Sequence, residues 1–255
     1  MTPGARIAAA IEVIDAWAAG PEGLDRTLAA WGRAHRFAGA KDRRAIADLA
    51  YDAVRRLRSS LWLAGIDAPD PLARSAPGRP ALIGSLRLDG ADPGALFTGE
   101  GHAPGPLSAG ERGARPIAEA PRGVRLDLPD WLLAERFLGS VPDEAIERLR
   151  RRAPLHLRVN LLKADAETAR AALDQDGVRA EPGRLSPTCL AVTEGARRVA
   201  GSRAFRDGLV EVQDAASQAV ADLCAARPGE RVLDFCAGGG GKALALAAAM
   251  GGHGE

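Results

Sequence analysis

From Ala5 to Trp17 the apolar residues Ile7, Ile11, Ile14 and Trp17 recur at spacings of four and three. That is the period of one helical face, and Thr2 and Pro3 supply start signals. The same reading predicts a helix over Leu24 to Trp31 and a longer one from about Asp42 to Leu63. In the longer one Ile46, Leu49, Ala50, Ala53 and Leu57 face a core, so the first 65 residues read as a small helical bundle. Between Asp67 and Gly123, nine prolines and ten glycines interrupt the pattern. They predict irregular helical packing or partly mobile chain, with short helices around Ala81 to Leu88 and Ser108 to Ala114. Amphipathic spacing resumes at Leu128 to Leu133, with Pro129 or Asp130 near a helix start. A further helix is expected over Asp143 to Arg152, ended by Pro154.

Past that proline the period changes from helical to alternating. Leu155 to Leu161, Cys189 to Thr193 and Leu209 to Val212 are strand-like, and Ala166 to Gln175 is helical with Gly177 as its stop. These pieces predict a small α/β domain. Asp214 then caps a helix reaching about Ala226, Pro228-Gly229 makes a turn, and Arg231 to Phe235 reads as a buried strand. That strand leads through a glycine-rich loop into a helix from Lys242 to Met250. Three domains follow: a helical one over 1–125, a small α/β domain over 126–212, and the start of a nucleotide-binding domain over 213–255.

Composition adds limits. With 255 residues and 46% hydrophobic content the chain is long and apolar enough to build substantial cores. The formal net charge of +1 announces no nucleic-acid partner, so such a claim must rest on local patterns. Only Lys41, Lys163 and Lys242 break a strong preference for arginine. Cys189, Cys224 and Cys236 show no metal-ligand spacing, so no metal is expected. The absence of a signal-like start or a bilayer-length apolar run makes a cytoplasmic protein with reduced thiols and no membrane partner the expectation.

The most informative segment is Asp234-Phe235-Cys236-Ala237-Gly238-Gly239-Gly240-Gly241-Lys242. A strand, a glycine-rich turn and a helix form the first unit of a doubly wound sheet, whose ligands sit at the strand carboxyl ends. Four successive glycines exceed what a plain connection requires. Gly238-x-Gly240-x-x-Ala243 also satisfies the loose dinucleotide fingerprint, which leaves a nicotinamide cofactor open. A phosphate-binding P-loop fits badly, because Cys236 would take the place of its first glycine and Ala243 that of its magnesium-binding hydroxyl. Lys242, a cation in the first helical turn, opposes the helix dipole unless a ligand carboxylate or Asp234 compensates. A solvent-pointing lysine is the plain alternative.

The turn resembles the Leu-Asp-x-Cys-Ala-Ala-Pro-Gly-Gly-Lys motif of the Sun/Nop family of RNA cytosine-C5 methyltransferases, which includes bacterial Fmu-type enzymes acting on 16S ribosomal RNA. It departs at Gly238 and Gly239, where the family usually has Ala and Pro. Leu157-Arg158-Val159-Asn160-Leu161-Leu162-Lys163 is similar to the family's Leu-Arg-Val-Asn-Thr-Leu-Lys strand. The run from Gly208 to Gln218 is similar to its Gly-x-x-x-x-Gln-Asp-x-x-Ser segment. Asp42-Arg43-Arg44 and Leu49 to Arg56 resemble the NusB-like helical RNA-binding domain of bacterial members.

The resemblance implies a mixed fold: an N-terminal all-α NusB-like domain, a small RRM-like α/β domain, and the first strand-turn-helix of a Rossmann-like class I methyltransferase domain. It implies S-adenosyl-L-methionine as cofactor, held by Cys236, Ala237, Gly238, Gly239, Gly240, Gly241 and Lys242. It implies RNA as partner, ribosomal first and transfer RNA second. In the family a cysteine thiolate adds to C6 of cytosine so that C5 becomes nucleophilic. That cysteine lies in a motif well downstream of the turn, so it is expected beyond Glu255, and the 255-residue chain is expected to be inactive alone. Cys236 is read as a small buried residue beneath the ligand, and Cys189 and Cys224 as core residues. The strand and helix of 213–255 are expected to expose apolar faces, weaken cofactor binding and favour association with other chains.

Between Arg33 and Arg58 eight basic residues stand against three acids. Arg44, Arg55 and Arg58 fall opposite the Ile46 and Leu57 stripe, and so are expected on one solvent face that tracks RNA phosphates. Arg158, with Arg148, Arg150, Arg151 and Arg152, is expected to extend that surface. Two other classes stay open: a non-enzymatic RNA-binding module, and a nicotinamide-dependent enzyme.

Overall fold

Thr2 starts the first helix as its sequence suggests. Its hydroxyl accepts the Ala5 backbone N–H, and Pro3, which has no N–H to leave unpaired, begins α1 (Pro3–Ala19). The fold described is that of a computed structural model, which covers residues 1–67 and 77–255. The part of the proline- and glycine-rich segment at 68–76 lies outside the described residues. The chain divides into two units, Met1–Arg151 and Arg152–Glu255.

In the first unit α1 packs with α2 (Leu24–Ala34), α3 (Ala40–Arg55), α4 (Leu57–Leu63) and α5 (Gly78–Leu88). The stripe predicted for α1 is real. Ile7 and Ile14 are fully buried, and Ile11 and Trp17 pack against the same core as Ile46, Leu61, Leu82, Ile83 and Phe97. Each such aliphatic side chain contributes about 1.5–3 kcal/mol by leaving water.

The single helix expected from Asp42 to Leu63 is two helices. Arg56 leaves the helical region (φ −113°, ψ 38°) between α3 and α4. Its guanidinium then bonds Asp89 at 2.6 Å and the Ser85 hydroxyl at 2.9 Å, tying the bend to the end of α5. Apolar periodicity runs through the bend because both helices feed one core, so the break carried no signal.

The remainder of this unit is short helical pieces, as the breakers predicted: α6 (Ala109–Arg112), α7 (Arg122–Leu126) and α8 (Asp143–Ile146), with 3-10 turns at Asp130–Leu133 and Glu147–Arg150. The helix expected over Asp143 to Arg152 is thus one α turn followed by one tighter turn. Asp127 holds the pieces to α4. It is almost fully buried and accepts the Ser59 N–H, the Ser59 hydroxyl and the Arg150 guanidinium. Burial pushes its carboxyl above the usual range, against the pull of these donors.

The second unit opens with an antiparallel sheet in the order β2-β3-β1-β4: β1 (His156–Val159), β2 (Arg179–Pro182), β3 (Cys189–Glu194) and β4 (Val210–Val212). Helix α9 (Ala166–Gln175) has the predicted bounds and is capped by Asp165. Its Ala169 and Leu173 close a core with Leu157, Val159, Val178, Leu190 and Val210. Strand β2 escaped sequence analysis because it is an edge strand, largely exposed and ending in Pro182, so it lacks both apolar alternation and a central strand's composition. After the short α10 (Arg203–Arg206) and β4 come α11 (Ala215–Leu223), capped by Asp214, and α12 (Gly241–Ala249).

Candidate cofactor turn and nucleic-acid surface

The strand predicted at Arg231 to Phe235 does not form as a strand. A strand needs a neighbour for its N–H and C=O groups, and the antiparallel sheet supplies none. The start of such pairing exists with the C-terminal residues. Glu255 N–H donates to Glu230 O at 3.0 Å, Val232 N–H to Glu255 O at 2.7 Å and Gly229 N–H to His253 O at 2.7 Å. That alternation is the parallel pattern, across a crossover through α12. The expected lone strand thus has the first bridge of a parallel neighbour. Leu233 and Phe235, 85% and 90% exposed, lie beyond it.

Within the turn, Gly238 (φ 55°) and Gly240 (φ 82°) take the left-handed conformation that glycine adopts without strain, whereas Gly239 and Gly241 do not. Two of the four glycines are therefore required by conformation. Above Gly239 and Gly240 an added side-chain carbon would meet no atom within 4 Å. Gly240 N–H bonds Ala237 O at 2.9 Å, and α12 begins at Gly241 with no side-chain cap, so its first N–H groups stay available. One oxygen of Asp234, Oδ2, is buried with no hydrogen-bond partner. Asp234 lines a cleft of about 230 Å³ with Val232, Ala243, Leu246 and Met250. The lining of that cleft holds no residue of the glycine run; the free donors at the start of α12 suit an anionic group, and the unpaired Asp234 oxygen suits a donor.

Lys242 is half-buried in the first turn of α12 and makes no ion pair among the described residues. Cys236 is exposed rather than buried beneath the turn, because Arg231 to Phe235 forms no sheet to cover it. Cys224, just after α11, is exposed as well, since α11 stops at Leu223 instead of Ala226. Cys189 is a core residue as expected, and burial raises its thiol pKa.

Arg158 is corrected outright. It is 3% exposed in β1, donating Nε to Gln213 Oε1 at 2.7 Å and Nη2 to Glu211 at 2.6 Å. Gln213, also buried, has its Nε2 3.6 Å from where a Cβ on Gly241 would stand. Arg158 therefore supports the residue beneath the turn instead of facing solvent. Sequence reasoning missed Gln213 as a site residue; its signal was adjacency to Asp214, the cap of α11.

The expected face of Arg44, Arg55 and Arg58 is also split. Arg44 is exposed and bonded only to its own helix, at Ala40 O. Arg55 is half-buried and paired with Asp52 at 2.7 Å. Arg58 is 7% exposed and donates to Leu128 O and to Asp130. The bend at Arg56 causes this, since angular positions counted along one continuous helix do not carry across it. Arg150, from the second expected cluster, is consumed by Asp127.

The RsmF/B-like methyltransferase ferredoxin-like domain matches residues 128–198. The ribosomal RNA small subunit methyltransferase B of Xylella fastidiosa (strain 9a5c) is 39% identical over 121 residues, 46% of this chain and 28% of that protein. The probable ribosomal RNA small subunit methyltransferase B of Bacillus subtilis (strain 168) is 33% identical over 129 residues, 48% of this chain and 28% of that protein. The matched part thus spans about a quarter of these relatives' length. The solved structure of PH0851 superposes with a TM-score of 0.62 at 24% identity, covering 100% of this chain and 63% of that one, a likeness of fold. Residues 128–198 thus match a domain of the RsmF/B-like methyltransferases, and nearly half of the chain is similar in sequence to ribosomal RNA small subunit methyltransferases B.

Proposed function

We propose that these 255 residues are the RNA-recognition and cofactor-turn portion of an S-adenosylmethionine-dependent RNA cytosine-C5 methyltransferase acting on ribosomal RNA. The reading includes a NusB-like first domain and a Rossmann-like beginning at 213–255. The observation that carries it is the turn. Gly238 and Gly240 take left-handed backbone just before the uncapped start of α12, and Asp234, four residues ahead of Gly238, keeps one oxygen without a partner. S-adenosylmethionine fits that donor set. Its carboxylate matches the free N–H groups, and its ammonium matches Asp234. The cofactor supplies an electrophilic methyl group. Asp234, the backbone from Cys236 to Gly241 and Lys242 hold and orient it, and Arg158 steadies Gln213 beneath.

Cys189 is buried with a raised pKa, which disfavours attack on a base, and Cys236 belongs to the turn itself. On this reading the chain alone binds RNA and does not transfer the methyl group. Incubated with small-subunit ribosomal RNA and methyl-labelled S-adenosylmethionine, it is expected to shift the RNA in a gel without forming 5-methylcytosine. Methyl transfer by this chain would contradict the assignment of its cysteines, and failure to bind RNA would contradict the recognition role.

A further inference from the structure

A second pocket lies in the helical unit, an open cleft of about 610 Å³ between α1, the end of α2 and the turn at 100–103. Its walls are chemically distinctive. Trp31 and His35 stack at 4.3 Å between centroids, and Phe37 stands edge-on to His35 at 5.6 Å. Phe37 is 72% exposed at the lip, although nothing in the helical core needs it there. Glu12 sits within the cleft, accepting the Trp31 indole N–H at 2.9 Å, with His35 Nε2 3.7 Å from its other oxygen. Each carboxylate oxygen keeps a lone pair for a further donor.

The lining residues include the carboxylates Glu12 and Glu100, together with the amino terminus of Met1, which is paired with Asp42, and the imidazoles of His35 and His102. Arg33, Arg36 and Lys41, whose exposed side chains form no ion pair or hydrogen bond among the described residues, stand close to Phe37 in sequence and outside the lining. Such cations attract a phosphate backbone. An aromatic lip, an acceptor inside and cations outside match one unstacked base of a single-stranded RNA, with its backbone held at the rim.

We propose that this cleft takes a single extruded nucleobase, and that Glu12 favours guanine, whose N1–H and N2–H₂ present two adjacent donors to a carboxylate, over uracil. The proposal rests on the RNA reading above, and extends it to a pocket that the cofactor turn does not explain.

Fluorescence anisotropy with labelled six-nucleotide strands, five uridines with one central guanosine against six uridines, tests it on the whole chain. The guanosine strand is expected to bind more tightly. Phe37→Ala, at an exposed position, is expected to weaken that strand about tenfold through lost stacking. Glu12→Gln keeps an acceptor for Trp31 and is expected to abolish the guanosine preference. Arg36→Glu is expected to weaken both strands equally and flatten their salt dependence. Binding that ignores Phe37→Ala and Glu12→Gln but falls with Arg36→Glu overturns the pocket and leaves the RNA reading standing. Absence of binding to either strand at 50 mM salt overturns both. Tighter binding of an arginine-rich peptide than of RNA, lost in Glu12→Gln, overturns the proposal in favour of a basic protein segment.

Discussion

At the level of single residues, burial separates two arginines that the helical period places on one face. Arg44 and Arg58 differ little in sequence context, yet one is exposed and the other is enclosed with Leu128 O and Asp130 as acceptors. Arg58→Ala is expected to cost about 2 kcal/mol in urea denaturation by removing those bonds and leaving a void. Arg44→Glu is expected to leave the denaturation midpoint unchanged while weakening RNA binding and lowering its salt dependence. Equal stability losses for both would contradict their assigned environments. In the second unit, Arg158→Ala is expected to destabilise the sheet and loosen Gln213, because its guanidinium bridges Glu211 and Gln213 in the interior.

At the level of elements, the capping of α6 illustrates how one local motif is tied to tertiary structure. Ser108 and Glu111 form a reciprocal capping box, and Arg79 from α5 grips Glu111 at 2.7 Å. The Arg79 bond, then the Ser108 bonds, lower the Glu111 carboxyl from its ordinary 4.5 to about 2. A folded pKa below the unfolded one means that the stabilisation is complete above about 4.5 and is lost as pH falls toward 2. Glu111→Gln is therefore expected to flatten the dependence of thermal stability on pH between those values, checked by melting curves across that range. An unchanged slope would show that the pair contributes nothing.

The elements also show what sequence made legible. Helices α1 and α9 were readable because cap and apolar period agree, at Thr2 with Ile7 and Ile14, and at Asp165 with Ala169 and Leu173. The bend at Arg56 was not, since a guanidinium reaching Asp89 thirty-three residues away leaves no local trace. Strand β2 was missed because an exposed edge lacks alternation, and the strand at Arg231 was over-read because its apolar run presupposes neighbours. The glycine run was legible as a turn that needs left-handed backbone, which Gly238 and Gly240 adopt. The aromatic cleft was not, because α1, α2 and the turn at 100–103 meet only in the folded unit.

At the level of the whole molecule, apolar surface stays open in both units: the helical unit closes a core around Phe97, yet Phe37, Trp131 and Leu149 are more than half exposed. In the second unit Val220, Leu223, Leu233, Phe235 and Leu244 remain at least half exposed near the turn, as the apolar faces of 213–255 were expected to be. Such surface favours self-association. Leu233→Ser with Phe235→Ser is expected to lower the apparent mass in light scattering at high concentration without changing the helical melting transition. An unchanged mass would mean that another surface drives association.

The central claim is that the segment from Asp234 to Lys242 is shaped for S-adenosylmethionine. The direct measurement is amide chemical-shift titration of the 255-residue chain with S-adenosylmethionine and, separately, with a nicotinamide dinucleotide. The account predicts weak, saturable shifts of Gly239, Gly240, Gly241 and Lys242 with S-adenosylmethionine, diminished in Asp234→Asn, and none with the dinucleotide. Shifts of the same amides by the dinucleotide alone, or none by S-adenosylmethionine at millimolar concentration, would contradict it.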